Sequence, residues 1–450
     1  MQTDQSLILN SSSNQVSPVN PYKYKKSNNS CISSTASTAS LSYPRSSPSE
    51  DISLNSSVTV QPYSSRPTVQ KKDPRLLPIL QRMRRQPAPT QFKTPTRALL
   101  DYFDRLTIYE REEISLYDEV YTVGGGCEKN VGDFDDENGY YKAIEGDHLA
   151  YRYEIKEFLG CGTFGHVFKC FDFKRNLNVA VKIIRNKTVY RKAGDLENKI
   201  LHELANADPN DLNCIVKKLR SFEFRNHLCL VFELLSLNLY QFLHKNEFKG
   251  LSLALIRRIS VQLFMALKTF HSVGIIHCDL KPDNILLKFE NKSSIKVIDF
   301  GSACQSGNKV YDYIQSRYYR APEVLFETGY DKAIDIWSVG CILFELITGT
   351  PLFPANNENE LFKLTVETLG LPPDDFFSKG MRSHHYMDIH GRARRQVFPS
   401  TRPLNVLLSN FDDKLINLIE SCVRWRPEDR IEADQGLSHA WVRGSRSSLC

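Results

Sequence analysis

Apolar positions are sparse and without period over residues 1–90, where Ser, Asn, Thr and Pro dominate. That composition predicts a disordered tail and linker with too few apolar side chains to build a core. The pattern changes at Thr94-Pro95, an N-cap followed by proline at the first helical position. Leu99, Phe103 and Leu106 recur at helical spacing, which predicts one amphipathic helix over 96–109. The stretch 113–121, the glycines 124–126 and the acidic turn 133–137 complete a region at 91–152. It is too apolar for a linker and too small to stand alone, so it is expected to pack on the next domain as an accessory layer. From residue 153 short apolar runs at 154–159, 179–182 and 228–232 read as strands, with a helix over 192–204 between them. A long helix follows at 253–270, with Ile259, Leu263, Leu267 and Phe270 on one stripe. Ile285-Leu286-Leu287 and the run 295–298 read as two short buried strands. Asp335-Ile336-Trp337 opens a helix apolar on nearly all sides and therefore buried. Residues 376–405 form an irregular basic insert, and Leu415, Leu418, Ile419 and Cys422 mark one last amphipathic helix, ending by Trp441.

The polar ends of the two short strands carry the chemistry. Asp279 lies in His277-Cys278-Asp279-Leu280-Lys281-Pro282-Asp283-Asn284, and Asp299 in Asp299-Phe300-Gly301. Two strands ending this way bring two carboxylates and an amide to one cleft. Magnesium prefers oxygen ligands and takes only one or two carboxylates from a protein, the rest coming from phosphates and water. Asn284 and Asp299 offer those oxygens, while Asp279 can orient a hydroxyl and accept its proton. Upstream, Leu159-Gly160-Cys161-Gly162-Thr163-Phe164-Gly165-His166-Val167 reads as a glycine turn able to close over phosphates, where a Cβ would obstruct. Ala180 and Lys182 follow on a strand, Lys182 placed to grip the α- and β-phosphates. Its expected partner is Glu197, which shares a helix face with Ile200, Leu201 and Leu204, whereas Glu203 falls on the other side and reads as solvated. Phe232, Glu233 and Leu235, at the end of a continuous apolar strand, are the expected adenine contacts, with Phe232 screening the pocket behind them.

Composition narrows the class. A hydrophobic fraction of 41% over 450 residues fits a chain only partly packed. A formal net charge of +6 is modest and does not argue for nucleic acid. The eleven cysteines show neither CxxC pairs nor a small-domain framework and read as reduced thiols. No apolar run reaches transmembrane length, so a cytoplasmic protein that avoids membranes is expected. The cluster Arg82, Arg84 and Arg85 adds a nuclear-import reading, set against that of a solvated linker. Ser17-Pro18 and Ser47-Pro48 could accept phosphate, although such pairs are common in tails. His384, His385 and His390 lack partners at ligand spacing and read as exposed loop residues.

Residues 153–441 carry enough motif to resemble eukaryotic protein kinases, and within them the dual-specificity tyrosine-phosphorylation-regulated (DYRK) family. His277-Cys278-Asp279 in place of His-Arg-Asp, the pair Tyr311-x-Tyr313, and Ile314-Gln315-Ser316-Arg317-Tyr318-Tyr319-Arg320 carry this likeness. Thr94-Pro95, Leu106-Thr107, Glu113-Ile114, Tyr117 and Val120-Tyr121 resemble the accessory region of its class II branch. The resemblance implies an α+β, bilobal fold: a small antiparallel sheet lobe, a larger helical lobe, and ATP with Mg²⁺ between them. Residues 442–450 are left as a tail. It also implies a monomeric dual-specificity enzyme that phosphorylates Ser/Thr of protein substrates, often with Pro after and Arg before the target. Lys281 would steady the transferring group. Tyr313 would be autophosphorylated once during maturation, with Arg317 and Arg320 the nearest cations, since Cys278 cannot hold a phosphate as arginine does. A catalytically weak scaffold and a homeodomain-interacting kinase are the rivals. The intact catalytic set argues against the first, and the accessory region against the second.

Overall fold

The computed structural model describes residues 91–309 and 311–444; Ser17, Ser47 and the Arg82–Arg85 cluster lie outside them. Helix α1 (Pro95–Tyr102) starts where the N-cap predicts, the Thr94 hydroxyl accepting from Arg97 N–H. The single helix expected over 96–109 is in fact two. The chain tightens at Phe103–Arg105, and Thr107 then opens α2 (Ile108–Glu113) with a capping box closed by Glu110. Phe103, expected on the inner stripe, is half exposed, while Ala98 and Leu106 are buried with Ile114, Val120, Val123 and Tyr151.

A curled antiparallel sheet follows, made of β1 (His148–Leu149), β2 (Tyr153–Gly162), β3 (Gly165–Asp172), β4 (Leu177–Ile184), β5 (Lys218–Phe224) and β6 (His227–Glu233). Its order is β1-β2-β3-β4-β6-β5. Alternation along β3 and β4 buries Phe168, Cys170, Val179 and Val181 in a core completed by Tyr153, Ile155 and Phe224. Helix α3 (Thr188–Ala207), longer at both ends than the expected 192–204, turns Glu197, Ile200, Leu201 and Leu204 inward.

The larger lobe is helical. Helix α4 (Leu239–Lys245) leads to α5 (Leu253–Ser272), whose stripe of Ile259, Leu263, Leu267 and Phe270 is fully buried. After β7 (Ile275–Ile276), strands β8 (Ile285–Leu287) and β9 (Ile295–Val297) pair antiparallel, Ile285 opposite Val297. Beyond β10 (Cys304–Gln305) come α6 (Pro322–Phe326) and α7 (Ala333–Thr348), buried along nearly its whole length. Glu323 and Arg430 form a bidentate pair at 2.6 Å with neither side chain exposed. Helix α8 (Glu358–Leu369) precedes the basic insert, which contains only short helical turns. The last helix expected to run to Trp441 ends at Cys422. Proline at 427 and an extended Arg430 interrupt it before Ala433–Ser438 and Ala440–Arg443.

The accessory layer is fastened by charge as well as by apolar contact. Glu110 accepts from Lys129 at 2.9 Å and faces the His148 imidazole at 2.9 Å. Arg225, in the β5–β6 turn, reaches Glu110 at 3.3 Å and Glu113 at 3.0 Å, with all three side chains nearly inaccessible. Glu110, Asp147 and His148 are close enough to hold a metal, but the Lys129 ammonium occupies that position. These side chains are therefore a structural ion cluster.

Candidate active site

The roof comes from β2 and β3. Gly165 cannot carry a side chain, because a Cβ there would lie 2.1 Å from the Ile183 carbonyl oxygen. Gly160 and Gly162 face open space within 4 Å, leaving the volume a phosphate needs. Register then places the lining. Val167 is opposite Lys182, and Ala180 is opposite Phe232, so all four share one face of the sheet. Leu159 is partly exposed at the edge. The Glu233 carboxylate is engaged below, accepting from Lys217 N–H at 2.9 Å and pairing with Lys296 at 3.3 Å. Its contribution to a bound base is therefore limited to its backbone. The Leu235 N–H is taken by no acceptor among the described residues.

Lys182 lies between two acids. Its ammonium donates to both Glu197 oxygens at 2.8 Å and to Asp299 at 2.8 Å. Burial works against the Lys182 charge, yet the two carboxylates more than offset it and raise its pKa. Burial also opposes the Asp299 charge, but Lys182 holds that carboxyl down to about 2. Burial dominates at Glu197 and pushes it up. Glu203, expected to be solvated, instead accepts a hydrogen bond from Gln305 of the segment after the site. That contact is invisible to helical periodicity, since the partner is distant in sequence.

Asp279 is fixed from three sides. Lys281 donates to it at 2.7 Å, the Ser316 hydroxyl at 2.8 Å and the Ser316 N–H at 3.0 Å. The Asn284 amide nitrogen donates to the Asp279 carbonyl at 2.9 Å, which leaves the amide oxygen as the free acceptor. The Asn284 carbonyl takes the Ile298 N–H at 2.9 Å, and His277 meets the Ile298 carbonyl at 2.9 Å. Asp299, next in sequence, is held left-handed at φ 60°. The turns carrying Asp279, Asn284 and Asp299 are thus bonded directly to one another. Asn284 and Asp299 present hard oxygen donors, which suit a divalent cation bound to phosphates.

In the activation segment, Tyr313 is half exposed. The Arg320 guanidinium lies 4.0 Å over its ring, but is committed to the carbonyls of Ile314 at 3.0 Å and Gln315 at 2.9 Å. Arg317 donates to the Asn356 carbonyl at 2.9 Å and keeps its Nε buried without a partner. Of the two expected cations, Arg317 is the one with a nitrogen that makes no bond at all. Cys278 is buried, its sulfur 3.7 Å from that of Cys304.

A protein kinase domain model matches residues 153–442. The chain is 41% identical over 369 residues to human dual specificity tyrosine-phosphorylation-regulated kinase 4, covering 79% of this chain and 71% of that protein. It is 43% identical over 360 residues to the serine/threonine-protein kinase ppk5 of Schizosaccharomyces pombe, 76% of this chain but 43% of that protein. Similarity to dual specificity tyrosine-phosphorylation-regulated kinase 2 of Drosophila melanogaster is 42% over 373 residues, 79% of this chain and 52% of that protein. With the catalytic turn, the lysine–glutamate pair and the glycine roof assembled in one cleft, the chain belongs to the dual specificity tyrosine-phosphorylation-regulated family of ATP-dependent protein kinases.

Proposed function

We propose that this enzyme transfers the γ-phosphoryl group of Mg–ATP to Ser/Thr hydroxyls of proteins, with proline after and arginine before the acceptor, and autophosphorylates Tyr313. The observation that carries this reading is the Asp279 carboxylate, held by Lys281 and Ser316 beside Asn284. Asp279 orients the substrate hydroxyl and receives its proton as the new O–P bond forms and the bond to the β-phosphate oxygen breaks. Lys182, fixed by Glu197, holds the α- and β-phosphates, while Lys281 steadies the transferring group. Magnesium bound at Asn284 and Asp299 would neutralise phosphate charge.

Proline selection follows from one carbonyl. Gln315 sits left-handed at φ 65°, its side-chain Nε2 donating to Ile334 O and Ser338 Oγ and its side-chain oxygen accepting from Ala321 N–H. Its main-chain carbonyl is already taken by Arg320. An amide N–H in the residue after the acceptor would find no partner there, and proline has none to satisfy. Arginine selection rests on an exposed acid without a cation: Asp283, one residue before Asn284 in the catalytic turn, has no ion-pair partner among the described residues.

We propose further that the enzyme is cytoplasmic, with the Arg82–Arg85 cluster as the feature that would add a nuclear share, and that it acts as a monomer on proteins rather than on nucleic acid or membranes. The test uses peptides Arg-x-x-Ser-Pro and Arg-x-x-Ser-Ala with phosphosite mapping of the bacterially expressed protein. The expected result is at least about tenfold faster transfer to the first peptide and phosphate on Tyr313. Tyr313→Phe should then lower activity more than Tyr311→Phe. Equal rates on the two peptides and an unmodified Tyr313 would refute this reading.

A further inference from the structure

The basic insert reaches the substrate site through a single carboxylate. Glu358, in the first turn of α8, receives Arg382 Nη2 at 2.6 Å and Nη1 at 3.3 Å, Tyr386 Oη at 3.2 Å and Arg320 Nη1 at 3.4 Å. Arg382 and Tyr386 belong to the insert, whereas Arg320 closes the activation segment. The insert backbone is itself anchored, Arg382 N–H donating to the Phe326 carbonyl at 3.0 Å. Arg382 also lies 3.6 Å from Glu327. Arg320 has three uses for its five donors: Nε on the Ile314 carbonyl, Nη2 on the Gln315 carbonyl and Nη1 on Glu358. It is buried, and Glu358 is its sole ion-pair partner among the described residues.

The contacts are unequal, and that inequality has a direction. Arg382 makes the short bond to Glu358 and Arg320 the long one, so the insert holds the carboxylate back from Arg320. Without Arg382, a buried guanidinium and a carboxylate favour a bidentate pair. Reaching one would draw Nη2 away from the Gln315 carbonyl. That carbonyl would then be free to accept the N–H of a non-proline residue, and discrimination would fall. We propose that Arg382, with Tyr386, is a positioning residue for substrate selection: by restraining Glu358 it keeps Arg320 on the Gln315 carbonyl and so enforces proline after the phosphorylated residue. This inference rests on the proline-directed reading above.

The measurement is the ratio of kcat/KM for Ser-Pro over Ser-Ala peptides in the full chain, for wild type, Arg382→Met, Arg382→Lys and Tyr386→Phe. A large wild-type ratio should fall at least about threefold in Arg382→Met, through gain on Ser-Ala rather than loss on Ser-Pro, with KM for ATP unchanged. Arg382→Lys should recover part of it, since an ammonium still pairs with Glu358 without the fork. Tyr386→Phe, which deletes one hydroxyl, should move the ratio the same way by less, and serves as the test if Arg382→Met does not fold. A large wild-type ratio left unchanged in the folded variants would overturn the role of Arg382 while leaving proline selection standing. A wild-type ratio near one would overturn both.

Discussion

Lys182, Asp279 and Asp299 were legible because each stands in a short motif whose spacing suits the phosphates we propose it serves. Glu197 was legible for a different reason: helical period alone separates it from Glu203, and the structure gives it to Lys182 at 2.8 Å. The Glu358–Arg382–Arg320 contacts carry no such pattern, since insert and activation segment meet only after the chain folds. At this scale Asp279→Asn should lower kcat by about 10²–10⁴-fold with melting temperature and ATP affinity unchanged. Steady-state kinetics beside thermal unfolding checks this, and near-normal turnover would remove Asp279 from the role assigned to it.

Among the elements, the accessory layer departs most from its sequence pattern. Leu99, Phe103 and Leu106 do fit one helical stripe, but the Thr107–Glu110 capping box stops that stripe and starts another helix. A local cap outweighed the longer period, and it freed Glu110 and Glu113 to face Arg225. Removing Arg225 leaves the Glu113 carboxylate buried without its cation, while Glu110 keeps Lys129, so Arg225→Ala should cost about 3–5 kcal/mol of stability, read by denaturant or thermal unfolding. A loss below about 1 kcal/mol would show the cluster to be incidental. The same cluster should be acid-sensitive. Burial pushes the His148 imidazole down, and although burial opposes the Glu110 charge, His148 and Lys129 hold that carboxyl well below the usual range. Both groups bind protons more readily in the unfolded chain. Their stabilisation is thus complete at neutral pH and is lost as pH falls, first below about 6.5 through His148 and then below about 4.5 through Glu110. His148→Gln should remove the upper part of that loss.

At the scale of the molecule, strands followed by helices announced two lobes, and the buried stripe of α5 and the all-round apolar α7 announced where the larger core lies. What the pattern could not supply was the breakup of the last helix around Pro427, or the path by which an irregular insert touches the activation segment. The second depends on packing between stretches far apart in the chain, whereas the first has a local cause, a proline that cannot continue a helix. The central claim is that Asp279, Asn284 and Asp299 act together around one metal-bound triphosphate between the lobes. The most direct test is phosphoryl transfer as a function of free magnesium, in wild type and in Asp299→Asn, with folding followed in parallel. Wild-type rate should rise with magnesium and saturate, while the folded variant should stay at background at every concentration. A folded Asp299→Asn protein whose rate climbs with magnesium as the wild type does would contradict the account.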